Sequence, residues 1–492
     1  MNEPGMASLL PVIVTLLIAL TLRNVLVGLF AGVTCGALMT SDASLLGFVP
    51  SMVKERLVPE VADSYNASVL VLLAFIGGFV KLIERSGGGA AFARSAARWV
   101  VNRTRTQLAA WFGGVVIFFS DLGTPLIIGP VFQPLADRMN ISRQKLAFIL
   151  DSTSSPVAIL VPFIGWGVFI MSVIADAFAA NGIADSEWSA FIAAIPYQVY
   201  AWLAIALAPV LAILDFDFGP MRRAQSSAEP AAHAPQVADD PRAKPVLVWL
   251  PLLVLGVVLF AVLLQLGFPQ QQVAGSDFRA ALSAAYFFAA LMLFALLLVS
   301  GVQTAATAFA NYATGMSGMM SIAATLVLAW ALGDISADLG TGSYVAALAR
   351  DGVTSGYLAV VVFILAAVIS FATGSSWGTI VIMMPLAIPS ALAVDAALPV
   401  VIGAVLSGGL FGDHSSPVSE TTILSSTGAG TTPLEHFRTQ MPYAVVNGGI
   451  SIVAFVIAGH LATSWIAAAA VGVQISLMLV LRRFLAMPEA VR

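Results

Sequence analysis

The sequence predicts an all-α polytopic membrane protein of about 11 crossing helices plus two re-entrant hairpins, built from inverted structural repeats with broken helices. Three observations predict it. The 492 residues are 59% hydrophobic and only 10% charged, with mean hydropathy +0.95, where a soluble domain carries roughly 25% charged residues. An acid, a Ser-Ser pair, a proline and an apolar run occur twice, as DSTSSPVAIL at 151–160 and within FGDHSSPVSETTILSSTGAG at 411–430. Two other apolar stretches, one in each half, are interrupted at their centres by short polar tips rich in Gly, Ser and Thr.

Each element follows in chain order. Glu3 precedes the first apolar run and Arg23 follows it, the reverse of a cleaved secretory signal, so 7–22 reads as a retained span with its N-terminus external. A second span at 25–40 carries Gly28, Gly32 and Gly36, a small-residue ladder suited to close packing within the chain or to a homodimer face. These spans and an external loop make up 1–67. The first repeat, 68–214, opens with a span at 68–83 and a basic segment with a Gly-Gly-Gly turn, read as a solvated cytoplasmic face. Its hairpin is 109–135: Ser120, Asp121, Gly123, Thr124 and Pro125 leave about 12 residues on each side, roughly 18 Å of helix, too short to cross. The broken helix 146–175 follows, with Pro156 removing an N–H and crowding the preceding turn. An acidic loop at 176–188 is read as external, and the span at 190–214 returns inside.

A polar, Pro- and Ala-containing stretch at 215–245, with Arg222, Arg223, Arg242 and Lys244, reads as a cytoplasmic linker. Connecting spans fill 246–316. The second repeat and final spans occupy 317–482, with hairpin 356–391 tipped by Ala372–Thr379 and broken helix 398–427; a cytoplasmic tail at 483–492 ends the chain. The first hairpin then opens inward and the second outward, as inverted repeats require.

Composition excludes several classes. A net charge of −4 without a long basic run gives no sign of a nucleic-acid partner, and the single cysteine, Cys35, excludes an internal disulfide or a Cys-based zinc site. The partners expected are the lipid bilayer of the cell inner (plasma) membrane and a small ion or small organic solute.

Broken helices expose carbonyls and half-helix ends that can hold a cation or a small substrate. Asp413, Ser415, Ser416, Glu420 and Thr421 form one candidate half-site, and Asp151, Ser154 and Ser155 the other. Asp121 and Thr124, with Thr373, Ser375, Ser376 and Thr379, supply the hairpin tips. Na+ is assigned to Asp413, Ser416 and Glu420. An intramembrane acid defaults to a functional role, whereas any single Ser or Thr can equally bond back to its own helix. A carboxylate removed from water resists ionising until a proton or a metal cation neutralises it, so the same group can exchange H+ for Na+. His414 is a candidate proton relay or a brace for the unwound turn. His233, His436 and His460 read as solvated. Gly374–Gly378 fits G-x-S-x-G, which leaves an intramembrane serine hydrolase as a remote alternative, but that motif needs a strand-to-helix turn of a soluble sheet. No cofactor and no enzyme activity are expected.

The run GDHSSPVSETTILSSTGAG resembles the NhaC-type sodium/proton antiporters of the ion transporter superfamily, as do FATGSSWGT at 371–379 and SRQKLAFILDSTSSPVAILVP at 142–162. The resemblance implies a secondary transporter with a re-entrant hairpin and a broken helix in each inverted repeat, and Na+/H+ antiport by alternating access. It also embraces exchangers of small organic acids. The chain departs from the family pattern at 119–124, where a second carboxylate and an Asn amide are absent, and at Glu420, where the family more often has Asp. A Ser, Gly and Thr tip with fewer carboxylates suits an organic acid or amino acid facing half-helix N-termini, and this is the alternative function.

Overall fold

The computed structural model describes residues 5–40, 48–97, 102–227, 242–268 and 275–485, which form helices joined by short breaks and no strand. The centre of the linker, with His233, and most of the C-terminal tail lie outside the described residues. Eight helices are long and apolar enough to cross a membrane, or nine if the bent pair Glu187–Tyr197 and Val199–Leu214 is one span.

The first hairpin region consists of Arg103–Val116 and Gly123–Arg138, 14 and 16 residues long, on either side of the Ser120–Asp121 break. Asn102 caps the first arm by accepting from the Arg105 N–H. In the second, Gly374 at φ 67° ends Ser355–Thr373, and the Ser375 hydroxyl caps Ser376–Ala393 by accepting from the Gly378 N–H. The arms of the second, at 19 and 18 residues, belong to the eight candidate spans; those of the first do not.

Both Ser-Ser-Pro motifs interrupt helices. Arg143–Ser152 starts at the Ser142 cap and stops before Pro156, and only the short turn Ser155–Ala158 intervenes before Gly165–Ala180. Leu398–His414 stops before Pro417, and the chain resumes as Glu420–Ala429, which Gly430 terminates in the left-handed region at φ 73°.

The halves meet through small residues. Helix Gly123–Arg138 lies backbone to backbone on Glu420–Ala429: a Cβ on Gly129 would strike the Gly428 backbone, and one on Gly428 would strike the Pro125 carbonyl. Gln133 Nε2 donates to the Gly428 carbonyl at 2.6 Å and Arg143 Nη1 to the Ala429 carbonyl at 2.9 Å, so carbonyls left open at that helix end find partners. The glycine ladder serves packing within the chain, with Gly28 and Gly32 against Thr15 and Gly36 against Ile335. The N-terminal helices Leu10–Leu22 and Val25–Thr40 have 13 and 16 residues and fall short of the roughly 20 needed to span. Their connecting turn, Arg23–Asn24, is drawn to the second tip, where Val25 packs onto Gly378.

Candidate functional site

Asp413, 3% exposed, lies in the last turn of helix Leu398–His414, and among the described residues its carboxylate is held by hydroxyls alone: Ser419 Oγ donates to Oδ1 at 2.7 Å and Thr421 Oγ1 to Oδ2 at 3.0 Å. Among the described residues no Lys, Arg or His is at ion-pair distance from it. Ser416 Oγ accepts from the Val418 N–H at 3.4 Å, and Ser415 Oγ donates to its own helix at the Phe411 carbonyl, 2.6 Å away. Glu420 begins the second half-helix and is exposed, lining the large cavity described below.

Asp151, fully buried, is bound quite differently. Ser425 Oγ donates to Oδ1 at 3.2 Å, Gln440 Nε2 donates to Oδ2 at 2.5 Å, and His436 Nε2 stands 3.4 Å from Oδ2. All three partners come from the other half of the chain. His436 corrects the sequence reading: it is not solvated but fully buried, because Pro433–Leu461 runs past both breaks and carries it to Asp151. Ser154 Oγ donates to the Asp151 carbonyl at 2.9 Å. His414 is buried, with Nδ1 3.5 Å from the Tyr200 hydroxyl, while its carbonyl accepts from Gln440 at 3.0 Å.

At the first tip Asp121 accepts from Trp166 Nε1 at 2.8 Å and from Ser155 Oγ at 3.4 Å, which ties the tip to the first broken helix. Thr124 closes the tip by donating to the Ile117 and Ser120 carbonyls, both at 2.7 Å. Thr373 and Thr379 bond back to carbonyls of their own segments at 2.8 Å, and Ser376 is buried next to Gly409. Both tips and Glu420 border one cavity of about 660 Å³. Among the described residues no three His, Cys, Asp or Glu side chains converge in a way that could hold a metal, so a cation here would draw on hydroxyl and carbonyl oxygens as well.

Ser419, Ser425, His436 and Gln440 were not among the predicted site residues. The last two sit at i and i+4 in EHFRTQ, a spacing that places both on one helix face.

Residues 157–460 match the model of the Na+/H+ antiporter family. The chain belongs to that family. It is 30% identical over 472 residues to a Haemophilus influenzae protein described as uncharacterized, covering 92% of this chain and 90% of that one. Over 100 residues it is 35% identical to the malate-2H+/Na+-lactate antiporter of Bacillus subtilis, 20% of this chain and 21% of that one. Its fold is similar to that of the YdaH transporter of Alcanivorax borkumensis, with TM-score 0.58 and 17% identity over 92% of this chain and 98% of that one. The protein is thus a multi-pass membrane transporter of an antiporter family and not an enzyme.

Proposed function

We propose that this transporter exchanges Na+ for H+ across the plasma membrane by alternating access, with the two ions competing for Asp413. The observation that carries this reading is a buried carboxylate at a helix break with hydroxyl donors and, among the described residues, no cationic side chain at ion-pair distance. An ionised carboxylate in that position costs several kcal/mol unless its charge is matched. A proton matches it from one side of the membrane and Na+ from the other, and occupancy by one excludes the other.

Asp413 would anchor the cation, with Ser416, Ser419 and Thr421 as neutral oxygens and Glu420 as the carboxylate on the cavity side. Asp151 would keep its place between the halves through His436 and Gln440, so that rearrangement of one repeat against the other is felt at both acids. The inverted repeats and re-entrant role of the hairpins belong to this same reading, supported by the paired Ser-Ser-Pro breaks.

The test is the Na+ dependence of transport at several pH values in proteoliposomes. Competition predicts an apparent KM for Na+ that rises about tenfold per unit of falling pH once protons hold Asp413, with the maximal rate little changed. A KM independent of pH from 6 to 9 would remove the shared site.

A further inference from the structure

The cavity is far larger than ion exchange requires. A bare cation needs a space of the order of one water, roughly 30 Å³, whereas this cavity of about 660 Å³ lies within the range of roughly 300–1,000 Å³ that holds small organic ligands. Three turns contribute polar groups to its wall, Arg23 and Asn24 between the first two helices, Ser120 and Asp121 at the first tip, and Thr373 and Ser375 at the second, and the helices Ser64–Glu84, Ala305–Gly318 and Met320–Asp338 supply much of the rest.

The charges on that wall are arranged with a pattern. Lys81 and Glu84 pair with each other at 3.2 Å, and Glu84 also accepts from Ser120 Oγ at 2.5 Å, so this pair is satisfied within the wall. Three charges remain. Arg23 has no ion-pair partner among the described residues, and its turn is fixed by Val25 on Gly378. Asp121 is aimed by the Trp166 indole N–H, and Glu420 is exposed with no side-chain hydrogen bond among the described residues. The same cavity is lined by an aromatic cluster, Trp166 on Trp377 with ring centroids 4.4 Å apart and Phe169 on Trp377 at 4.5 Å.

We propose that this cavity binds a zwitterionic solute of amino-acid size with an apolar or aromatic side chain. Its carboxylate pairs with Arg23, its ammonium with Asp121, and its side chain lies on the Trp166–Trp377 wall, which leaves Glu420 to the ion. A plain organic acid would leave both wall carboxylates unmatched, and a plain amine would leave Arg23 unmatched. The zwitterion matches Arg23 and Asp121, neither of which has an ion-pair partner among the described residues, so Glu420 stays open to an ion. Solute and ion are thereby accommodated together, and the solute adds cargo to the ion cycle without replacing it. This inference rests on the transporter reading above but uses a different part of the site from Asp413.

The test is equilibrium binding to the purified full-length protein in detergent at constant Na+, followed by intrinsic tryptophan fluorescence and by thermal shift. The probes are L-phenylalanine and L-leucine, with phenethylamine and 3-phenylpropionate as analogues that each lack one charge. The zwitterions are expected to bind at least about tenfold more tightly than either analogue, a factor that one charge-assisted hydrogen bond supplies. Arg23→Gln should weaken phenylalanine binding about tenfold and leave phenethylamine unchanged. Equal binding of phenylalanine and its two analogues to the wild-type protein, or no binding of any probe at millimolar concentration, would overturn the proposal without recourse to a variant. The measurement involves no gradient, so its failure is distinct from that of the ion reading: binding without Na+/H+ movement removes only the latter, and Na+/H+ movement without binding removes only the former.

Discussion

The two broken helices share a motif and differ in what surrounds their acids. Asp151 is sealed at 0% exposure between a glutamine amide, a serine hydroxyl and an imidazole, all supplied by the opposite half. Asp413 is held by two hydroxyls from its own motif, only six and eight residues further along the chain. One acid therefore has a chargeable partner built in, and the other must receive its counter-charge from outside. On the proposed reading this contrast is a division of labour, in which Asp151 ties the halves together and Asp413 takes the ion.

The largest expected effect follows directly. Asp413→Asn should lower coupled transport at least about 100-fold while the protein still elutes as a folded species, since an amide neither releases a proton nor neutralises Na+. Asp151→Asn should cost less, about tenfold, because its place is held by hydrogen bonds that an amide partly keeps. Equal losses for the two variants would break the comparison.

His436→Gln is expected next, with transport reduced several-fold and its pH profile displaced from that of the wild type. In a double-mutant cycle, His436→Gln combined with Asp151→Asn should be little worse than Asp151→Asn alone, because the two side chains act on one another. Strictly additive losses would show that His436 works elsewhere. Ser419→Ala removes one of the two hydroxyls on Asp413 and should raise the apparent KM for Na+ about three- to tenfold, roughly 1 kcal/mol, with a small change in maximal rate.

A carboxylate outside both breaks sharpens the contrast from the other side and gives the smallest effect. Glu60, on the short helix Val58–Ala62, is pushed up to about 8 by burial and then by a hydrogen bond and like charge from Asp334. Its proton is held more tightly in the folded chain than in the unfolded one. Stability from this group is therefore complete below the ordinary carboxylate range and is lost as pH rises towards and through 8. Melting temperature should fall gently over that window, and Glu60→Gln should flatten the slope without altering Na+ dependence.

Much of this arrangement was legible in the sequence because membranes penalise what is not needed. Proline and Ser-Ser pairs inside apolar runs marked both breaks, and Asp121, Asp151 and Asp413 stood out as acids where hydrocarbon was expected. The partners of those acids were less visible. His436 and Gln440 lie just after a proline in a polar run that looks like a surface approach, and only the packing of a 29-residue helix past both breaks brings them to Asp151. Arg23 marks in the sequence only the end of the first apolar run, because its place on the cavity wall depends on the first two helices being short and on Gly378 leaving room for Val25. Sequence spacing carries contacts within a helix well, and contacts between halves poorly.

The central claim is most directly tested in proteoliposomes containing the purified protein, by following lumen pH with an entrapped dye after a pulse of external Na+ without organic solute. The account predicts that the lumen becomes alkaline as Na+ enters and protons leave, and that empty vesicles and the Asp413→Asn protein give no response. An unchanged lumen pH with folded wild-type protein, or alkalinisation that persists in Asp413→Asn, would contradict it.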